Sequence, residues 1–366
     1  MPRVLQVLEA TIGGTRRHLR ELALGMQAAG WQVDVAYGLG RDPGFARDLA
    51  RFQLRGIGTH VLPMVRRPAP LADLAAVNRL ADLLRRLAPD LIHAHSSKAG
   101  FIARLAGRRA GIPVLYTPHV FAFDMQVSPL LRRSFRAVER RLVPLTACLI
   151  AVSRAEQAAA LALGYAPARV RCIPNGIPLA PDSSPPPRDE RRYDVVFIGR
   201  FCRQKGIDLM LEALAELLAR HPGLRVAVMG GGSRAIERRL AALRGPVSCR
   251  PFDEAEAVEH LLAESRVLVM PSRWEGLPYL LLEAMAAGTA VAASDVGGVT
   301  DVVTDGREAL LFAPGSVAAI GQTVERLLDD EPLQRRLVGA ARERVQAFGL
   351  ERMLEATRAC YEEFRR

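Results

Sequence analysis

The sequence predicts an α/β protein of two domains, each a parallel sheet layered with helices. Three observations carry this. Short apolar runs alternate with amphipathic helical stretches from end to end, the rhythm of strand–helix–strand units. That rhythm breaks once, at residues 179–192 within the string PLAPDSSPPPRDERR, whose Pro, Ser and charge read as an interdomain linker. It resumes at Tyr193 with YDVVFIGR, and the 366 residues, 49% hydrophobic, suffice for two cores. The expected domains are therefore 1–178 and 193–350.

In the first half, apolar and β-branched runs predict strands at 3–8, 32–37, 57–62, 91–94, 114–117, 148–152 and 170–173. Paired glycines, Gly13 and Gly14, follow the first strand and precede a helix expected over 17–29. Leu and Ala at helical spacing predict another helix over 71–87. In PLLRRSFRAVERRLVP (129–144), Leu131, Phe135, Val138 and Leu142 follow helical spacing, with five Arg and one Glu in the segment. Such a helix suits an anionic membrane surface, and it equally suits packing on a sheet. In the second half, a buried strand ends at Gly199, and Lys205-Gly206 is expected to open the next helix. Strands are expected at 267–270 and 289–293, and an amphipathic helix at 351–364 closes the chain.

Composition narrows the function. The net charge of +11 is unevenly placed: residues 1–180 hold 25 Lys+Arg against 11 Asp+Glu, and residues 181–366 hold 25 against 28. A basic first half favours an anionic partner, such as a membrane surface, a phosphorylated lipid or nucleic acid. Aromatic residues are 5% and no nucleic-acid motif is present, which argues against the last. No apolar run approaches the ~18–20 residues that span a bilayer, and the amino terminus reads as a first strand rather than a signal peptide. Five scattered cysteines without a C-x-x-C pair suggest neither zinc nor a disulfide framework, and fit a reducing cytoplasm. Only two of the 50 basic residues are lysine, Lys98 and Lys205, and both fall in candidate ligand loops.

The most informative segment is VMPSRWEGLPYLLLEAMAAGTAVAASDVGG (269–298). Glu275 and Glu283 stand eight residues apart. Gly276, Leu277 and Pro278 form a turn between them, Pro278 fits a first helical position, and Gly288 fits a helix stop. Strands on both sides place the Glu275 loop at the carboxyl edge of a parallel sheet, where ligands bind. The helix amino terminus can hold a diphosphate. Glu283, about a turn and a half along, can accept two ribose hydroxyls, and Glu275 would face the group attached to the diphosphate.

The string E-G-L-P-x-x-x-x-E-A-M-A-x-G, flanked by P-S and S-D-V-G-G, resembles the signature of family 4 glycosyltransferases, retaining enzymes of the GT-B fold. The resemblance implies two Rossmann-like domains facing each other across a cleft, with the terminal helix 351–366 crossing back to the first. It implies that Arg200 and Lys205 bind the donor pyrophosphate beside Gly199, that Gly276, Leu277 and Glu283 belong to the donor site, and that Glu275 positions the sugar. Gly13 and Gly14 resemble the family's glycine-rich loop. His119, in TPHVFAFD, matches the histidine that faces the donor sugar, and Ser153 and Asn175-Gly176 match further landmarks. His95, Ser96 and Lys98, in HAHSSKAG, are acceptor-binding candidates, and the same residues fit a helix cap with a surface lysine.

No D-x-D is present, so metal ligation of the diphosphate by such carboxylates is not expected; Arg200, Lys205 and a helix amino terminus would meet its charge instead. The expected activity is transfer of a sugar, with retention, from a nucleotide-diphosphate sugar to a hydroxyl, without metal or other cofactor. UDP-sugar comes first as donor and GDP-sugar second. By resemblance to capsule and exopolysaccharide enzymes, the acceptor is a glycan or polyprenyl-diphosphate-linked glycan at the inner membrane face. A sugar-nucleotide epimerase or phosphorylase of the same fold remains an alternative, and a basic nucleic-acid-binding protein a remoter one.

Overall fold

The computed structural model describes residues 1–39, 44–179, 190–251 and 255–365. Residues 180–189, most of the expected linker, lie outside these. The chain divides into two compact units, Met1–Asn175 with Leu350–Arg366, and Gly176–Gly349.

In the first unit the elements run β1 (Arg3–Leu8), α1 (Gly13–Ala28), β2 (Gln32–Tyr37), α2 (Phe45–Leu54), β3 (Gly58–Val61), α3 (Pro70–Leu87), β4 (Leu91–His95), α4 (Ser97–Ala110), β5 (Val114–Thr117), α5 (Pro129–Leu142), β6 (Cys148–Ala151), α6 (Arg154–Leu163) and β7 (Val170–Cys172). The sheet is parallel with order β3-β2-β1-β4-β5-β6-β7. Its central strands β1 and β4 are buried on both faces because helices cover both. The two-residue period shows in β1: Val4 and Leu8 enter the core beneath α1, while Leu5 and Val7 enter the opposite core beneath α3 and α4.

The second unit runs β8 (Tyr193–Arg200), α7 (Ile207–Arg220), β9 (Val226–Gly231), α8 (Arg234–Ala241), β10 (Val247–Arg250), α9 (Ala255–Ala263), β11 (Ser265–Met270), α10 (Tyr279–Ala286), β12 (Ala290–Ser294), β13 (Leu310–Phe312), α11 (Val317–Asp329) and α12 (Glu331–Val345). Its sheet is also parallel, in the order β10-β9-β8-β11-β12-β13. Leu214, Leu217, Val226, Val267 and Val324 fill its core.

The terminal helix α13 (Leu350–Phe364) packs on the first unit, as the resemblance implied. Tyr361 lies fully buried against Trp31, ring centroids 5.4 Å apart. A Cβ at Gly25 would meet the end of the Leu354 side chain of α13 at 2.5 Å, so glycine there lets α1 and α13 approach without moving that leucine.

Three helix starts differ from expectation. Helix α1 begins at Gly13, not Arg17, because Gly13 adopts φ +62 and turns the chain into the helix at once. Pro278 is the N-cap of α10 with extended backbone (φ −76, ψ 121), so Tyr279 takes the first helical position. Lys205 ends a short 3-10 turn (Arg203–Lys205), and α7 starts only after the left-handed Gly206.

Candidate active site

In both sheets, neighbouring strands depart in opposite directions from the first strand of the unit, β1 beside β4 and β8 beside β11. Such a topological switch opens a crevice at the carboxyl edge, where ligands of open α/β sheets sit. In the second unit Arg200 ends β8 and Glu275 follows β11; in the first, Gly13 and Gly14 follow β1, His95 ends β4 and His119 follows β5.

In the second unit, β8 delivers Gly199 and Arg200, and β11 delivers the loop that carries Glu275. Lys205 Nζ donates to Glu275 Oε1 at 2.6 Å, and Ser272 Oγ donates to the same oxygen at 2.7 Å. The Glu275 side chain is 6% exposed, so this pairing operates with little solvent screening. Arg200 Nη2 donates to Gln204 Oε1 at 3.1 Å, and Gln204 Nε2 donates to the Trp274 carbonyl at 3.3 Å. The Gln204 carbonyl in turn accepts from the Arg273 amide at 2.8 Å. The cations at the end of β8 are thus tied to the loop after β11. Arg273 grips Asp208 with two bonds of 2.8 and 2.7 Å, which hold the Asp208 carboxyl below its ordinary value.

Close backbone packing fixes these loops. Gly298, at φ +80, lies so near the Gly276 carbonyl that a Cβ would overlap it, and a Cβ at Gly206 would overlap the Pro271 carbonyl. The first contact presses the S-D-V-G-G segment onto the Glu275–Gly276 turn. The second brings Lys205 beside the loop it pairs with. Leu277 and Glu283 are buried, and Gly288 (φ +67) ends α10, with the Thr289 amide on the Ala284 carbonyl at 2.9 Å.

In the first unit, the edge of β4 and β5 is strained. Four non-glycine residues have positive φ among those described, and three lie here: Ser96 (φ +73), His119 (φ +50) and Val120 (φ +79). Left-handed backbone in a β-branched residue is uncommon and costly. His95 and His119 come together, His95 Nδ1 lying 3.3 Å from His119 Nε2. His18, from α1, packs edge-on against His119 with centroids 4.6 Å apart, and its Nδ1 lies 2.9 Å from Asn175 Oδ1.

The proton positions follow from Gln6. Its amide nitrogen donates to the Tyr361 hydroxyl at 2.8 Å, so its oxygen accepts from His95 Nε2 at 2.8 Å. His95 Nδ1 then carries a lone pair and accepts from His119 Nε2, which leaves His119 Nδ1 as that ring's basic nitrogen. The Tyr361 hydroxyl donates to His93 Nδ1 at 2.7 Å, and His93 Nε2 donates to Thr117 Oγ1 at 2.9 Å. Burial, reinforced by neighbouring histidines, holds His93, His95 and His119 well below the usual imidazole value, and burial lowers His18 to about 4. The cluster is neutral near pH 7.

Among the described residues, His18, His95 and His119 form one group able to hold a metal, with one nitrogen of each within 4.8 Å of the others. A zinc ion would set imidazole nitrogens roughly 3.3 Å apart. Between His95 and His119 that span is already a hydrogen bond. Ser96 makes no side-chain capping bond to α4. Lys98 is turned to Asp73, with both carboxylate oxygens at 2.7 Å, and to the Arg67 carbonyl at 3.1 Å. Its charge is neutralised within the unit by Asp73. Gly13 and Gly14 form the first turn of α1 after β1.

The family model described as a glycosyl transferase 4-like domain matches residues 13–176, and that described as glycosyl transferases group 1 matches residues 181–344. The D-inositol 3-phosphate glycosyltransferase of Acidothermus cellulolyticus is 30% identical, over 87% of this chain and 78% of its own. The chain belongs to the group 1 glycosyltransferases. This glycosyltransferase is also 28% identical to the glycogen synthase of Mycobacterium tuberculosis, over 96% of this chain and 91% of that one. HepE of Anabaena, solved in complex with UDP and glucose, superposes with a TM-score of 0.80 at 18% identity, covering 99% of this chain and 100% of its own. That likeness shows a shared GT-B fold.

Sequence reasoning on this glycosyltransferase missed Gln6, His18, His93, Gln204 and Glu156. His18 stands four residues after Gly14 on α1, a spacing that could have flagged it. Glu156 has the S-x-x-E spacing of a capping box with Ser153, and Gln204 stands one turn after Arg200; Gln6 and His93 act through partners distant in sequence and left no local signal.

Proposed function

We propose that the enzyme transfers a sugar from a nucleotide-diphosphate sugar, UDP-linked first and GDP-linked second, to a hydroxyl of a glycan or polyprenyl-diphosphate-linked glycan, with retention and without a metal. One observation carries the reading: Lys205, Arg200, Ser272 and Glu275 converge at the carboxyl edge of β8 and β11. A diphosphate competes with Glu275 for Lys205. As the bond from the anomeric carbon to the diphosphate oxygen breaks, Arg200 and Lys205 take up the charge on the leaving group. The acceptor oxygen bonds to the same carbon, and its proton passes to the departing phosphate. Glu283 holds the ribose, Glu275 and its neighbouring amides hold the sugar, and His119 offers Nδ1 to a sugar hydroxyl. The UDP and glucose named for HepE support a UDP donor.

An acceptor anchored in an anionic membrane fits α5. Leu130, Leu131 and Val138 are 75%, 47% and 39% exposed, beside exposed Arg132, Arg133, Arg136, Arg140 and Arg141. The buried Glu139 pins the other face of the helix to Arg104 at 2.9 Å. Among the described residues no helix is long and apolar enough to cross a membrane.

Calorimetric titration of UDP, GDP and ADP in EDTA tests the donor site. Micromolar binding of one nucleotide, weakened by Lys205→Ala and by Glu283→Ala, is expected. Binding that appears only with added magnesium or manganese overturns the metal-free reading. Release of nucleotide diphosphate only when acceptor is present separates a transferase from an epimerase or a phosphorylase.

A further inference from the structure

Glu156 stands three residues after Ser153, the helix cap that the sequence singles out; it is 5% exposed and touches the strained turn that carries His119. Its Oε1 accepts from the Val120 amide and its Oε2 from the Val152 amide, both at 2.8 Å. The second bond anchors the carboxylate to the end of β6. The first reaches 36 residues back along the chain to the turn after β5. Glu156 itself sits in the first turn of α6, where its amide donates to Ser153 Oγ at 3.1 Å and fixes its backbone. One carboxylate therefore spans the ends of two strands and one helix.

The turn it holds is poorly favoured on its own. His119 and Val120 are consecutive left-handed residues, and Val120 is β-branched. Such backbone persists only where surrounding contacts over-determine it. Val120 donates its amide to Glu156, and His119 is held by His95 on its other side. We infer that Glu156 is a positioning residue for the sugar-transfer step: it clamps the Val120 amide, keeps the His119–Val120 turn in its strained form, and so aims His119 at the donor sugar. The inference rests on the reading above that His119 meets the sugar.

Glu156→Gln tests it. The amide has one oxygen for two donors, and its own NH2 then faces an N–H. Hydrogen exchange at Val120 should rise by about tenfold or more. With acceptor present, release of UDP from UDP-glucose should slow by about ten- to a hundredfold in kcat, with UDP affinity unchanged. Val120→Gly accepts φ +79 without strain, so adding it to Glu156→Gln should restore most of the lost rate. A residue that merely stabilises α6 and β6 would lose stability with no rescue by Val120→Gly. Unchanged exchange at Val120 overturns the clamp, whatever the activity. Faster exchange with an unaltered rate, while His119→Ala is inactive, overturns the positioning role. An active His119→Ala would instead sink the assignment of His119 to the sugar and leave the exchange result to judge the clamp.

Discussion

Lys205 and Glu275 neutralise each other at 2.6 Å, and the second hydrogen bond on that oxygen comes from Ser272. A charge-assisted bond of this kind is worth about 1.5–3 kcal/mol where solvent is scarce. Losing the lysine should therefore weaken nucleotide binding by about ten- to a hundredfold, read as the Kd of UDP by calorimetry. Ser272→Ala leaves the lysine in place and loosens only Glu275, so kcat should fall by roughly tenfold while the Kd of UDP holds. Equal loss in both would place Ser272 on the phosphates instead. Glu156 gives a pH prediction. Burial raises its carboxyl to about 7 from 4.5, against the two amide bonds that lower it. Between these values the unfolded chain releases the proton while the folded chain keeps it. Its contribution thus favours the fold below about pH 4.5 and is withdrawn as the pH climbs to about 7, a change of roughly 3 kcal/mol. Glu156→Gln should flatten that part of the urea-denaturation profile, and an unchanged slope would refute the shift. Lys205 and Glu275 were legible because each sits in a punctuated strand–turn–helix string. Ser272 was visible only as a flanking letter; Gln204 stands four residues from its partner Arg200, but its link to the Glu275 loop, through the Trp274 carbonyl, spans 70 residues and was not legible.

At the scale of elements, strands and helices were legible from apolar period, and their ends were not. The shift of α1 to Gly13 and the delay of α7 past Gly206 both come from left-handed glycines; Gly206 lies against the Pro271 carbonyl, whereas Gly13 faces open space. Gly298 shows the cost of such contacts. Alanine there would carry φ +80 and press on the Gly276 carbonyl, so Gly298→Ala should cost about 2 kcal/mol or more in urea denaturation and displace the Glu275 turn. Full stability with full activity would mean the two loops are not packed as described. Helix α5 was read with two outcomes open, and the structure sharpens the choice. Of its predicted apolar stripe only Leu142 is buried, Phe135 is half-buried, and Leu131 and Val138 are exposed. Replacing Arg132, Arg133 and Arg140 by Gln should weaken binding to vesicles rich in anionic lipid, by roughly 1 kcal/mol for each arginine. Unchanged vesicle binding would leave α5 as a surface helix.

At the scale of the whole chain, the longest link is the one the sequence could not display. Gln6 and Tyr361 are 355 residues apart, yet their hydrogen bond joins the first strand to the last helix at 2.8 Å. The amphipathic pattern of α13 predicted a helix, and the resemblance supplied its destination; no local signal in either segment names the other as partner. The Tyr361 hydroxyl is fully buried, and it both accepts from Gln6 and donates to His93. Through Gln6 it fixes which nitrogen of His95 carries a proton, and through His95 it reaches His119. Tyr361→Phe keeps the ring against Trp31 and removes only the oxygen. Two buried polar groups then lose a partner, a loss of about 1–3 kcal/mol each at most. The variant should show a lower urea midpoint with an unchanged m-value. It should also release Gln6 to turn its amide, which would switch the proton on His95 and alter the pH dependence of kcat without changing the Kd of UDP. A lower midpoint with an unaltered pH profile would confine Tyr361 to holding α13 in place. An unaltered midpoint would show that the hydroxyl is not buried between those partners.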